Sequence, residues 1–85
     1  MKEIKMHPVK SSQIDSVGYD EPTMTLYIEF KKGSVYSYAE VPIEKYNSLL
    51  IPTMSVGKYF FAEIKGKYIY EKLPVYVKEG QLIQI

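Results

Sequence analysis

The strongest pattern in the chain is a run of strict alternation between Thr23 and Lys31. Met24, Leu26, Ile28 and Phe30 fall at every second position, with Thr25, Tyr27 and Glu29 between them. A period of two sends alternate side chains to opposite faces, so this segment predicts a strand with one dry and one wet side. Upstream, Gln13 to Tyr19 reads as a second strand, closed by the turn residues Asp20-Glu21-Pro22, where proline sets φ. Downstream, Val35 to Val41 reads as a third. Three strands in succession with short connections form a meander.

The register between the second and third strands decides where the tyrosines point. A two-residue loop at Lys32-Gly33 pairs Phe30 with Val35 and sets Tyr36 and Tyr38 opposite Glu29 and Tyr27, on the wet side. A three-residue loop, Lys31-Lys32-Gly33, with Gly33 left-handed in a G1 bulge, pairs Tyr36 with Ile28 and Tyr38 with Leu26. One residue of slip inverts every side chain. The bulged register sorts polarity better. It gathers Leu26, Ile28, Phe30, Tyr36 and Tyr38 on one face and leaves Thr25, Tyr27, Glu29, Ser37 and Ala39 on the other.

Pro42 then suits a first helical position, where its missing N–H costs nothing. Glu44 falls in the first turn, Ile43, Tyr46, Leu49 and Leu50 give an apolar stripe, and Pro52 ends the helix. A second helix starts with Ser55 as N-cap, runs to Lys65 with Val56, Tyr59, Phe60 and Ile64 inside, and stops at Gly66. From Leu73 the character changes. Val75-Tyr76-Val77, then Lys78-Glu79-Gly80, then Gln81 to Ile85 predict a hairpin. The uncharged, β-prone last strand invites addition to the sheet or exchange with a second protomer. The expected fold is therefore α+β: a three-stranded antiparallel β-meander followed by two short helices, with a C-terminal β-hairpin or strand extension. Residues 1–8 are expected to be a flexible arm, 9–73 the domain proper and 74–85 the extension.

Composition narrows the function classes. Eighty-five residues, 46% of them apolar and 25% charged, suit one small globular domain. Without cysteine there is no disulfide framework, zinc knuckle or thiol chemistry. Residues 1–9 hold Lys2, Lys5 and His7 but no signal-like apolar run, and nothing approaches the ~18 apolar residues of a membrane span. The expectation is a cytoplasmic protein without membrane contact. All eleven basic residues are lysine, against ten acidic ones. Net charge thus supplies no global pull toward nucleic acid, and the bidentate fork of arginine is missing, so any such binding needs a local patch.

For an enzyme the inventory is thin. The single histidine, His7, reads as a surface residue near a chain end, and it cannot build the usual triads or transition-metal sites without cysteine. Asp20 and Glu21 beside Pro22 read as turn chemistry, and the glycines lack phosphate-loop spacing. No catalytic residue, metal or cofactor is expected. The nine tyrosines are the unusual feature, several of them beside lysine. Tyrosine gives a flat face for a base, and lysine a point charge for phosphate. One reading is a stacking platform for RNA or a nucleotide, formed by Tyr36, Tyr38, Tyr68 and Tyr70 with Lys58, Lys65 and Lys67. The other is that the rings fill a small core with their hydroxyls at its rim.

In order and spacing, several segments resemble the KTSC domain: Ser11-Ser12-Gln13-Ile14, Val17-Gly18-Tyr19-Asp20, Leu26 to Phe30, Gly33 to Tyr38, Val41-Pro42, and Gly57-Lys58-Tyr59-Phe60 to Ile64-Lys65. That domain is named for the C-terminus of some lysyl-tRNA synthetases and also occurs as small bacterial and phage proteins. Its Tyr-x-Tyr hallmark is matched by Tyr36 and Tyr38, and the likeness covers about residues 9–73. The resemblance implies an RNA-binding role. This sequence departs from the family pattern after Phe60, where Phe61 and Ala62 stand in a stretch that commonly carries asparagine and arginines. That departure supports an alternative, a protein-interaction module of phage or prophage type that engages a host protein or sequesters a small nucleotide signal. Its contacts would be Tyr27, Phe61, Leu82 and Ile83, with homo-oligomer formation through the C-terminal strand.

Overall fold

A computed structural model of the chain describes residues 4–51 and 55–84. Among these residues run β1 (His7–Pro8), β2 (Ile14–Asp20), β3 (Thr25–Phe30), β4 (Val35–Tyr38), α1 (Ile43–Leu49), α2 (Val56–Glu63), β5 (Tyr70–Leu73), β6 (Val75–Lys78) and β7 (Gln81–Gln84). The class is α+β with antiparallel pairing throughout. The expected meander is β2-β3-β4, but it is the middle of a five-stranded sheet ordered β1-β2-β3-β4-β5. The two added strands are β1 and, after the helices, β5.

The register is the bulged one. Ile28 pairs with Tyr36 and Leu26 with Tyr38. Gly33 has φ 95°, the left-handed conformation that glycine reaches without a Cβ penalty, and its N–H donates to the Phe30 carbonyl at 2.8 Å. Met24, expected on the dry face, is not there. The Glu21–Thr23 segment closes a 3₁₀ turn that leaves Met24 left-handed and 42% exposed.

Alternation puts Ile14, Val17, Leu26, Ile28 and Tyr38 on the face that the helices cover. There they form the core with Val41, Leu49, Val56, Phe60 and Ile64, all buried. Each such apolar side chain contributes about 1.5–3 kcal/mol on leaving water. α1 starts after Pro42, and α2 after an extended Ser55 whose side chain makes no capping bond. Pro52, read as the stop of the first helix, lies outside the described residues. The Tyr19 hydroxyl donates to the Val41 carbonyl at 2.5 Å, and its ring stacks on Tyr46 at 5.2 Å, tying α1 to β2. Lys45 Nζ meets Glu63 Oε1 at 2.7 Å, tying α1 to α2.

The opposite face is not wet, which corrects the expectation from alternation. Ile4 and Met6 are buried, and a Cβ on Gly18 would meet Met6 Sδ at 2.5 Å, so the N-terminal residues lie directly on the sheet. Residues 4–8, expected within a flexible arm, instead continue into β1, which pairs with β2 at His7–Val17 and Pro8–Ser16. The β6–β7 hairpin, with Glu79 and Gly80 both at positive φ, makes its own two-stranded sheet instead of extending the large one. Its turn end joins the N-terminal residues through the Lys5–Gln81 bridge and a Met6 N–H to Gly80 carbonyl bond of 2.6 Å. Between these layers Val35 is fully buried, while Ser16 Oγ donates to Glu29 Oε1 at 2.7 Å. No helix among the described residues is long and apolar enough to cross a membrane.

Candidate functional site

The exposed end of the helix-covered face holds a cluster of rings. Phe60, buried on the inner side of α2, is the hub: it packs edge-on to Phe30 at 5.6 Å, to Tyr38 at 5.5 Å and to Phe61 at 5.6 Å. Phe30 meets Tyr36 edge-on at 5.6 Å. Tyr70, across the ladder on β5, lies 6.0 Å from both Tyr36 and Tyr38 in tilted arrangements. Such offset and edge contacts suit the ring quadrupole. They leave a groove of about 710 Å³ lined by Phe30, Tyr36, Tyr38, Phe60, Phe61 and Tyr70.

Lysine lines that groove. Lys31 and Lys32 enter from the hairpin loop and Lys65 from just past α2, and among the described residues the lining contains no Asp or Glu. Lys65 Nζ sits 4.7 Å above the centre of the Phe61 ring, a cation–π contact. Lys31 pairs with Asp15 at 3.0 Å, both half exposed, and a surface pair of that kind is worth about 0–1 kcal/mol.

Of the residues singled out from sequence, Tyr36, Tyr38, Tyr70 and Lys65 come together in the groove with Phe61 at its edge. Lys58 lines a neighbouring depression. Lys67 and Tyr68 fall outside both depressions, because the chain turns at Gly66, with φ 81°. They lie instead near the Lys45–Glu63 pair, whose own hydrogen bond is the main reason Glu63 is held below and Lys45 above its usual range, with Lys67 and Tyr68 adding smaller electrostatic contributions. The Tyr27, Leu82 and Ile83 side chains are half-buried; none of them lines the groove, and Tyr27 lies on the face of β3 that points away from it. Phe30, Phe60, Lys31 and Lys32 were missed as site residues. The bulged register was the available signal for the first, third and fourth, since it carries Phe30 and the loop lysines to the side of Tyr36.

Burial, then the neighbouring Tyr36 and Tyr70, push the Tyr38 phenol up to about 12. The unfolded chain loses this proton near 10.0, so the folded state holds it longer and loses stability as pH climbs from about 10 to about 12. Tyr19, Tyr27 and Tyr46 are raised as well, each mainly by burial. In an ultraviolet titration Tyr38 should ionise only together with alkaline unfolding, and Tyr38→Phe should move that transition to higher pH. A Tyr38→Phe transition superimposable on the parent's would contradict this assignment.

The fold and the groove define a small α+β module that presents rings between lysines. The family model for the KTSC domain matches residues 10–68, and the chain belongs to that family. A segment of a lysine–tRNA ligase from Trichormus variabilis is 42% identical over 64 residues, covering 75% of this chain and 11% of the ligase. The chain therefore spans about a tenth of the ligases it matches. A small protein from Tsukamurella paurometabola is 36% identical over 63 residues, covering 74% of this chain and 92% of that protein. The crystal structure of a KTSC domain protein from Yersinia pestis superposes with a TM-score of 0.77 at 34% identity, over 82% of this chain and 97% of that one.

Proposed function

We propose that this chain is a non-catalytic binding module for RNA or a nucleotide, with the ring groove as its site. One observation carries the reading: exposed and half-buried rings stand between lysines in a groove whose lining, among the described residues, has no carboxylate. Bases stack on Tyr70, 62% exposed, and on Tyr36, while Lys31, Lys32 and Lys65 meet phosphates. Occurrence of the homologous segment in lysine–tRNA ligases is in keeping with a nucleic-acid partner.

Anisotropy of a labelled single-stranded RNA tests it. With at least the three phosphates of the ring groove neutralised, log affinity should fall with log salt at a slope of about −2 or steeper. Tyr70→Ala should remove about 1–3 kcal/mol of stacking, roughly a 5- to 150-fold loss. A flat salt response together with a silent Tyr70→Ala would refute the reading. A protein-docking role is favoured by one feature, the exposure of Phe61 and Ile69 at 45% and 80%. That role predicts pull-down of a protein by a chain indifferent to RNA.

A further inference from the structure

We infer that the ligand is a strand of several unpaired nucleotides rather than a mononucleotide, and that its backbone continues from the ring groove past Phe61 to Lys10 and Lys58. The inference rests on the RNA reading above and deepens it. A second depression, of about 550 Å³, lies between the residues preceding β2 and the first half of α2. It shares Ser12, Gln13 and Phe61 with the ring groove, so the two are one track divided by a single ring.

The two halves differ in chemistry. The ring groove holds six aromatic side chains; the second depression offers only the Phe61 ring among the described residues but adds Lys10, Lys58, Ser11 and Ser55, and none of the described residues that line it is a carboxylate. Its wall is preorganised, since Ser11 Oγ accepts the N–H groups of Gln13 and Ile14 at 3.2 and 3.3 Å. Gly57 of α2 lies beside that turn, where an added Cβ would be in ordinary contact with Ser11 Oγ at 3.5 Å. A site with cations and little ring surface suits a sugar–phosphate backbone better than a base. Phe61, 45% exposed and facing both halves, suits the base between them. A mononucleotide satisfies one half only.

The full chain should be titrated with uridine monophosphate and with an oligouridylate of about eight residues, a length within the range single-strand sites cover. The oligomer should bind at least about tenfold tighter, one further stacked base being worth that much. Lys10→Ala with Lys58→Ala should make its salt slope shallower by about 1.4 and leave monophosphate binding unchanged. Phe61→Ala should weaken the oligomer selectively. Equal affinity for both probes, or length dependence untouched by the lysine pair, overturns the track while the ring groove stands. Binding of neither probe overturns the reading beneath it.

Discussion

Phe60→Ala should lower the unfolding free energy by about 3–5 kcal/mol, the cost of emptying a buried aromatic site. Phe60 is 2% exposed and touches Phe30, Tyr38 and Phe61, rings contributed by β3, β4 and α2, so no single neighbour can move to fill the space. Domains of this size are stable by about 5–15 kcal/mol, so the loss takes much of the total. A melting point lower by roughly 15–30 °C follows from the entropy of unfolding of so short a chain. Urea denaturation of Phe60→Ala and Phe60→Leu measures it, and the leucine variant should lose distinctly less. A loss under about 1 kcal/mol for alanine would show that Phe60 is not the hub. The same ring is the floor of the groove, so affinity for RNA should be measured below the variant's melting range.

The parts of the fold legible in the sequence are those in which neighbours along the chain decide the conformation. The alternation from Leu26 to Phe30 makes β3, Gly33 sets the bulge, and α2 starts after Ser55, although it closes at Glu63, short of the expected stop at Gly66. β5 was not legible, because Tyr70-Glu71-Lys72-Leu73 has no apolar alternation and is a strand only because β4 supplies its partners. The covered second face was hidden for a related reason. Its cover comes from Ile4, Met6 and the terminal hairpin, remote in sequence from the small and polar residues Ser16 and Gly18 beneath.

The site divided in the same way. Tyr36 and Tyr38 followed from register, whereas the placing of Tyr70 depended on the unread strand. Lys67 and Tyr68 looked equivalent to Lys65 in the linear run, and the turn at Gly66 separates them. Phe60 was read as core, and it is core. Its second role as groove floor appears only once β3, β4 and α2 are assembled.

The second face carries the other large expected effect. Gly18→Val should destabilise the domain by about 1–3 kcal/mol, the usual cost of forcing atoms into a packed site. The first added carbon would already lie 2.5 Å from Met6 Sδ and 2.9 Å from the Lys5 carbonyl oxygen. The thioether can swing aside, but the carbonyl is backbone, held where Lys5 bridges to Gln81 and Met6 bonds to Gly80. Relief therefore requires lifting the N-terminal residues together with the hairpin. Hydrogen exchange should report this as faster exchange at the Met6 amide, with the β3 and β4 amides still protected. Because the ring groove opens on the other face, RNA affinity should stay within about twofold of the parent, the range left to sites that do not couple. Unchanged protection at Met6 with a stability loss below about 0.5 kcal/mol would mean that the N-terminal segment does not rest on Gly18 in solution.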